Sequence, residues 1–303
     1  MSAASVAQSQ AAAGSRSRRR IRPRRVALYV FLGFMTVTWL LPLLWAVYTA
    51  LRPYADTQAN GYVSLPTTLN FDNFVNAFDQ GNFPQFYFNS LVVTVPGVIV
   101  TLVIASMVAY AVSKFTWRFN LVVLMLFTAG NLLPQQVIIV PLYRLYLLLP
   151  VPHPLSDNGL LYDQYLGIIL IHIIFQTGFC VFVLSNYMKT LSHELTEAAL
   201  VDGASVLRIW GAIIMPLCRP ALAALATLEF TFIYNDFFWA LMLMETGNKR
   251  PITSALQNLQ GEFFTNFNLL AAGALLAAIP TILVFLALQR HFVSGLTLGS
   301  TKG

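Results

Sequence analysis

The sequence predicts an all-α polytopic membrane protein, and three observations carry that reading. Only 10% of its 303 residues are charged, against about 25% in ordinary soluble domains. Hydrophobic residues make up 57%, and the mean hydropathy is +0.67. Long stretches also contain no Asp, Glu, Lys or Arg at all. So few charges would not cover a soluble surface, which sets aside a soluble enzyme and a disordered regulator. The net charge of +6 and pI near 9.4 would otherwise invite a nucleic-acid partner. On an apolar chain, however, a basic excess reflects membrane topology. Two cysteines, Cys180 and Cys218, are too few for a disulfide framework or a metal cluster.

The charge gaps place the helices in order. Gaps from Arg25 to Arg52, Asp79 to Lys114, Arg118 to Arg144, Asp163 to Lys189 and Glu262 to Arg290 each exceed the roughly 20 apolar residues a bilayer crossing needs. They predict helices over about 27–50, 88–112, 120–142, 166–188 and 267–289. A sixth apolar run, about 220–243, holds Glu229 and Asp236, and alternation of loops requires it to span too. The first run is too long for a cleaved signal segment. With the Arg-rich tail 1–25 placed as a disordered cytoplasmic extension, 14 of the 18 basic residues fall inside and 4 outside. That bias predicts N-in and C-in. The remainder, 26–303, is one six-span domain with a cytoplasmic loop at 189–219. Phe83–Phe88 reads as an interfacial aromatic belt.

The loop between spans four and five is too regular to be a plain connector. Ser192 is placed to N-cap a short helix, with Glu194 favourable against its dipole. Leu195, Ala198, Ala199 and Asp202 stand at 3–4 spacing, which predicts a shared face. Gly203 supplies a left-handed turn, and Ser205 caps the next helix through Trp210. Pro216 and Pro220 mark the approach to span five. An amphipathic hairpin lying on the membrane surface would show the same pattern.

The run Glu197-Ala198-Ala199, three residues, Gly203, then apolar residues to Pro216 resembles the EAA loop of permease subunits in ABC importers. Asn89-Ser90-Leu91, Ala109-Tyr110-Ala111, Pro134 with Gln136, Ile139 to Tyr143, Gly159 to Leu170 and Tyr234-Asn235-Asp236-Phe237 extend the resemblance over about 26–303. Gln289-Arg290, Gly295 and the tail Gly299 to Gly303 continue it to the C-terminus. The chain is identified on these residues as similar to the MalG-like permeases of carbohydrate importers. The resemblance implies a type I importer permease fold in a bacterial or archaeal cytoplasmic membrane. It also implies a second, MalF-like permease, two ABC ATPase subunits, an extracytoplasmic solute-binding protein and a carbohydrate substrate. The loop centred on Glu197, Ala198, Ala199, Asp202 and Gly203 would dock in an ATPase cleft as a rigid lever. ATP and magnesium would belong to those partners, since no Walker A pattern occurs here and the chain itself would be no enzyme. Residues 147–158 depart from the family as an insertion in an outer loop.

Ionisable groups at bilayer depth are costly and mark pathways. Glu229, Tyr234, Asn235 and Asp236 are therefore candidates for the substrate path, with Asp236 at i+7 from Glu229 on nearly the same helical face. Interhelical hydrogen bonding that only locks packing would use the same residues. His172, one turn from Gln176 on span four, reads as a buried and satisfied histidine, and Asn131, Gln135 and Gln136 read as rim groups. The rival function is an ion-coupled secondary transporter using Glu229 and Asp236 with His172. No internal repeat of the kind common in that class is visible in the sequence.

Overall fold

The computed structural model describes residues 23–130, 134–260 and 265–297. The basic tail through residue 22, Asn131, and the Gly299 to Gly303 tail lie outside the described residues. Two compact units are present, one ending at Tyr48 and one starting at Thr49. Helix α1, Pro23–Leu51, crosses that boundary. Within the first unit, Thr36 and Thr38 donate to the carbonyls of Leu32 and Phe34 at 2.8 and 2.9 Å. Polar side chains satisfied inside their own helix are what a lipid environment requires.

The second unit runs α2 (Tyr54–Asn60), α3 (Asp72–Gln80), α4 (Phe83–Lys114), α5 (Asn120–Gly130), α6 (Ile139–Leu148) and α7 (Tyr165–Lys189). It continues with α8 (Glu194–Val201), α9 (Val206–Leu217), α10 (Arg219–Tyr234), α11 (Phe238–Leu243), α12 (Ile252–Ala255) and α13 (Phe267–Thr297). Among the described residues the only strand-like pairing is an isolated bridge between Pro150 and Leu160. Helices α4 and α7 share the largest interface, followed by α10 against α13 and α4. One apolar cluster joins Ala109, Leu184, Met188, Ile209, Ile214 and Cys218 at the end of the bundle carrying α8 and α9. Another joins Val93, Ile168, Ile171, Ile233, Trp239 and Leu243 at the opposite end.

Among the described residues, four helices are long and apolar enough to cross a membrane: Arg24–Leu51, Phe83–Lys114, Tyr165–Lys189 and Phe267–Gln289. The pair Val206–Leu217 and Arg219–Tyr234, bent by 79°, makes a fifth if counted as one span. The helix predicted over 120–142 is not continuous among the described residues. Helix α5 ends at Gly130, Pro134 is extended, and α6 starts only at Ile139. Pro134 lacks the N–H a continuing helix would use. The run predicted over 220–243 is likewise two helices, because Asn235, Asp236 and Phe237 separate α10 from α11. Asp236 turns its carboxylate onto the backbone N–H groups of Trp239 and Ala240, at 3.4 and 3.2 Å, and so caps α11 instead of continuing α10. Part of the predicted aromatic belt is interior. Phe83 and Phe86 are buried in a third cluster with Ala77, Tyr234 and Ala272, and only Phe88 of that group is largely exposed.

Candidate functional site

At one end of the bundle, the helix–Gly–helix is built as local rules dictate. The Ser192 hydroxyl accepts from the Glu194 N–H at 3.2 Å, one residue before the cap position held by His193. Gly203 has φ 77°, its N–H bonds the Leu200 carbonyl at 3.0 Å, and the Ala204 N–H reaches back to Ala199 at 2.9 Å. These two bonds form a Schellman ending, which requires the left-handed residue. Ser205 then caps α9 by accepting from the Arg208 N–H at 3.4 Å. The predicted shared face does not hold. Ala199 is 8% exposed and rests with Thr196 and Ile209 toward the core, whereas Leu195, Ala198 and Asp202 face out. Ala198 and Ala199 are 100° apart on a helix, and the inner side is the one that seats the loop. The outer side presents Leu200, Leu207 and Val201, the last 88% exposed, beside Glu197 and Asp202. At the root of the loop, the buried Lys114 ammonium of α4 donates to the Leu191 carbonyl at 2.7 Å.

In the middle of the bundle, the four path candidates separate into two environments. Glu229 is 0% exposed, and one carboxylate oxygen accepts from Cys180 of α7 at 3.2 Å. Tyr234 is 1% exposed, stacks on Phe230 and donates to the Ala277 carbonyl of α13 at 3.2 Å. Asn235 is exposed, its amide donating to the Thr231 carbonyl at 2.8 Å. Asp236 is half-buried. Because α10 ends at Tyr234, Glu229 and Asp236 do not share a helical face as their spacing predicted. His172, at 4% exposure, lies with Nε2 3.6 Å from Asp236 Oδ2.

At the opposite end, a clasp of polar groups was not foreseen from sequence. Asp163 holds φ 62° and is buried. Its carboxylate accepts from the N–H groups of Glu245 and Thr246, at 2.9 and 3.0 Å, and from the Thr246 hydroxyl. Lys249 pairs with Asp157 at 2.6 Å, tying the 147–158 segment to the loop after α11. Asn89, 0% exposed, donates to the carbonyls of Asn248 and Arg250 at 2.7 and 3.0 Å and accepts from Tyr165 at 2.7 Å. Ser90 accepts from the Ile252 N–H at 2.8 Å. The Asn89-Ser90 pair was visible in the sequence, but nothing there says which loop it grips. Beside this clasp the buried Arg52 side chain binds Asp56, the Gly61 carbonyl and the Ser64 hydroxyl. The Arg52 guanidinium, helped by Thr67 and Asn60, holds the Asp56 carboxyl down at about 2.

Among the described residues no group of three or more His, Cys, Asp or Glu is placed to hold a metal. Residues 97–298, which include both the α8–α9 loop and the α10–α11 break, match the family described as binding-protein-dependent transport system inner membrane component. YurM of Bacillus subtilis, a probable ABC transporter permease protein, is 30% identical over 93% of this chain and 92% of its own length. The arabinooligosaccharides transport system permease protein AraQ of the same species is 28% identical over 92% of this chain and 96% of its own. A chain from the crystal structure of a bacterial ABC transporter that imports alginate superposes with a TM-score of 0.75 at 24% identity, covering 90% of this chain and 98% of that one. The likeness in structure carries the fold, and the match over two thirds of the chain carries the family: this protein belongs to the binding-protein-dependent transport system inner membrane components.

Proposed function

We propose that the chain is the permease subunit of an ATP-driven carbohydrate importer, crossing a bacterial or archaeal cytoplasmic membrane six times with both termini inside. The third crossing is the broken α5–α6 run and the fifth the bent and broken α9–α11 run. A second permease, two ATPase subunits that hold ATP and magnesium, and an external solute-binding protein complete the complex. The observation that carries the reading is the α8–α9 loop. It is a Schellman-turned knob with exposed Leu200, Val201 and Leu207 flanked by Glu197 and Asp202. Such a face suits insertion into a protein cleft, apolar at its centre and charged at its rim. Movement of that knob would reach α4 through Lys114 and α10 through the 79° bend.

Carbohydrate as the cargo is supported by the relative named for arabinooligosaccharides and by the exposed Asn235 beside half-exposed Phe237. An amide with an aromatic face is how hydroxyl-rich ligands are held. In this reading Asn235 and Asp236 front the path, while Glu229 and Tyr234 form the packed wall behind it. An ion relay through Glu229 and Asp236 is disfavoured, since the break after Tyr234 takes the two acids off one helical face and Glu229 is turned onto Cys180 of α7. Affinity purification of the tagged chain tests the assembly. It should bring down one further permease and two ATPase copies, and the associated binding protein should be stabilised in a thermal-shift screen by a sugar. Recovery of the chain without any ATPase would end the proposal.

A further inference from the structure

His172 poses a problem of accounting. Its Nε2 is buried and makes no hydrogen bond, yet buried polar atoms nearly always find a partner, and an orphan calls for an explanation. The atom nearest in charge is Asp236 Oδ2 at 3.6 Å, just beyond hydrogen-bond reach. Asp236 is the residue that interrupts the α10–α11 run. It caps α11 through Trp239 and Ala240, and its own carbonyl accepts from the Thr253 hydroxyl. The surrounding wall is closely packed on the α7 side: Phe175 meets Trp239 at 5.6 Å between ring centroids, and Ile168 and Ile171 are buried in the same cluster. An imidazole carried on a long helix therefore faces the acid where α10 gives way to α11.

We infer that His172 is a positioning residue for solute passage: by binding the Asp236 carboxylate it sets the α10–α11 break, and with it the two exposed neighbours Asn235 and Phe237. A closure of less than about 1 Å turns the observed separation into a charge-assisted hydrogen bond. Such a bond forms or lengthens as the break shifts during the cycle. This rests on the importer reading above, but it concerns how the path is shaped and not whether ATP drives it.

The test uses the complete complex in proteoliposomes, once its ATP-driven uptake is in hand, and reads solute imported per ATP hydrolysed. His172→Leu should lower that ratio about tenfold, the scale expected for a lost hydrogen bond to a charged group. His172→Gln keeps an N–H donor and should recover most of it. In an Asp236→Asn background, His172→Leu should add little further loss. A purely packing role would instead favour Leu over Gln and give the same loss in both backgrounds. Either of those results, or full coupling in His172→Leu, overturns the inference.

Discussion

Gly203 offers the sharpest perturbation of the proposed ATPase contact. Its φ of 77° lies in the left-handed region, and a Cβ built there would meet nothing within 4 Å. The cost of a side chain is therefore backbone strain alone, uncontaminated by a clash. For Gly203→Ala that strain is about 1–2 kcal/mol. Asn tolerates this region better and should cost less than Ala. Gly203→Pro fixes φ near the opposite sign and removes the N–H that bonds the Leu200 carbonyl at 3.0 Å, at a cost of about 3 kcal/mol or more. The turn is then lost, and the apolar residues of α8 and α9 no longer present one surface. The predicted order of ATPase copurification is Gly, Asn, Ala, Pro, with about a fivefold or larger fall at Ala. Chain abundance in the membrane should stay level, since the loop lies outside the long apolar helices. Equal copurification across the four variants, or Pro surpassing Asn, would mean that the left-handed turn does not shape the contact.

Further outcomes follow from the same structure. Glu197→Lys, at an exposed edge of α8, should weaken ATPase copurification and uptake while membrane insertion measured by protease mapping is unchanged. Asp56, held at about 2 from an ordinary 3.8, gives its loop stability that is complete above pH 4 and lost as pH falls through 2. Pepsin should accordingly begin to cut within 61–71 between pH 4 and 2, and Asp56→Asn should abolish the pH dependence. Asp163→Ala strands the N–H groups of Glu245 and Thr246 and should cost about 1–3 kcal/mol in detergent unfolding. Asp157→Ala, which removes a side chain 77% exposed from the Lys249 pair, should cost under about 1 kcal/mol. Gly167→Ala brings a Cβ to 2.7 Å from the Leu161 carbonyl and 2.9 Å from Tyr146. It should destabilise by about 1–3 kcal/mol on a thermal melt.

The parts legible in sequence were those governed by neighbours in the chain. Charge gaps located α1, α4, α7 and α13 because desolvation acts on each segment separately. Gly203 and Ser205 announced their roles because turns and caps are made within about five residues. The break at Asn235 to Phe237 was hidden, since its apolar flanks read as one run and only the Asp236 carboxylate, folded onto α11, shows that the helix restarts. Ala199 was grouped on one face with Ala198, although adjacent helical residues stand 100° apart, and burial separates the two. The clasp at the opposite end was out of reach for a different reason. Asp163 finds Thr246 across 83 positions, and Asn89 finds Asn248 across 159. Such pairings are set by how α4, α7 and α10 pack, and a residue type alone does not reveal them. His172 was read as satisfied for the same reason, and the structure instead leaves its Nε2 facing Asp236.

A chain that passes solute only as part of an ATP-driven assembly is distinguished from a self-sufficient carrier by uptake into proteoliposomes. The complex of both permeases and two ATPases, supplied with the solute-bound binding protein on one face and ATP on the other, should accumulate solute. That accumulation should follow ATP and persist when ionophores collapse every ion gradient. Solute uptake by this chain alone, driven by a proton or sodium gradient and indifferent to ATP, would contradict the account.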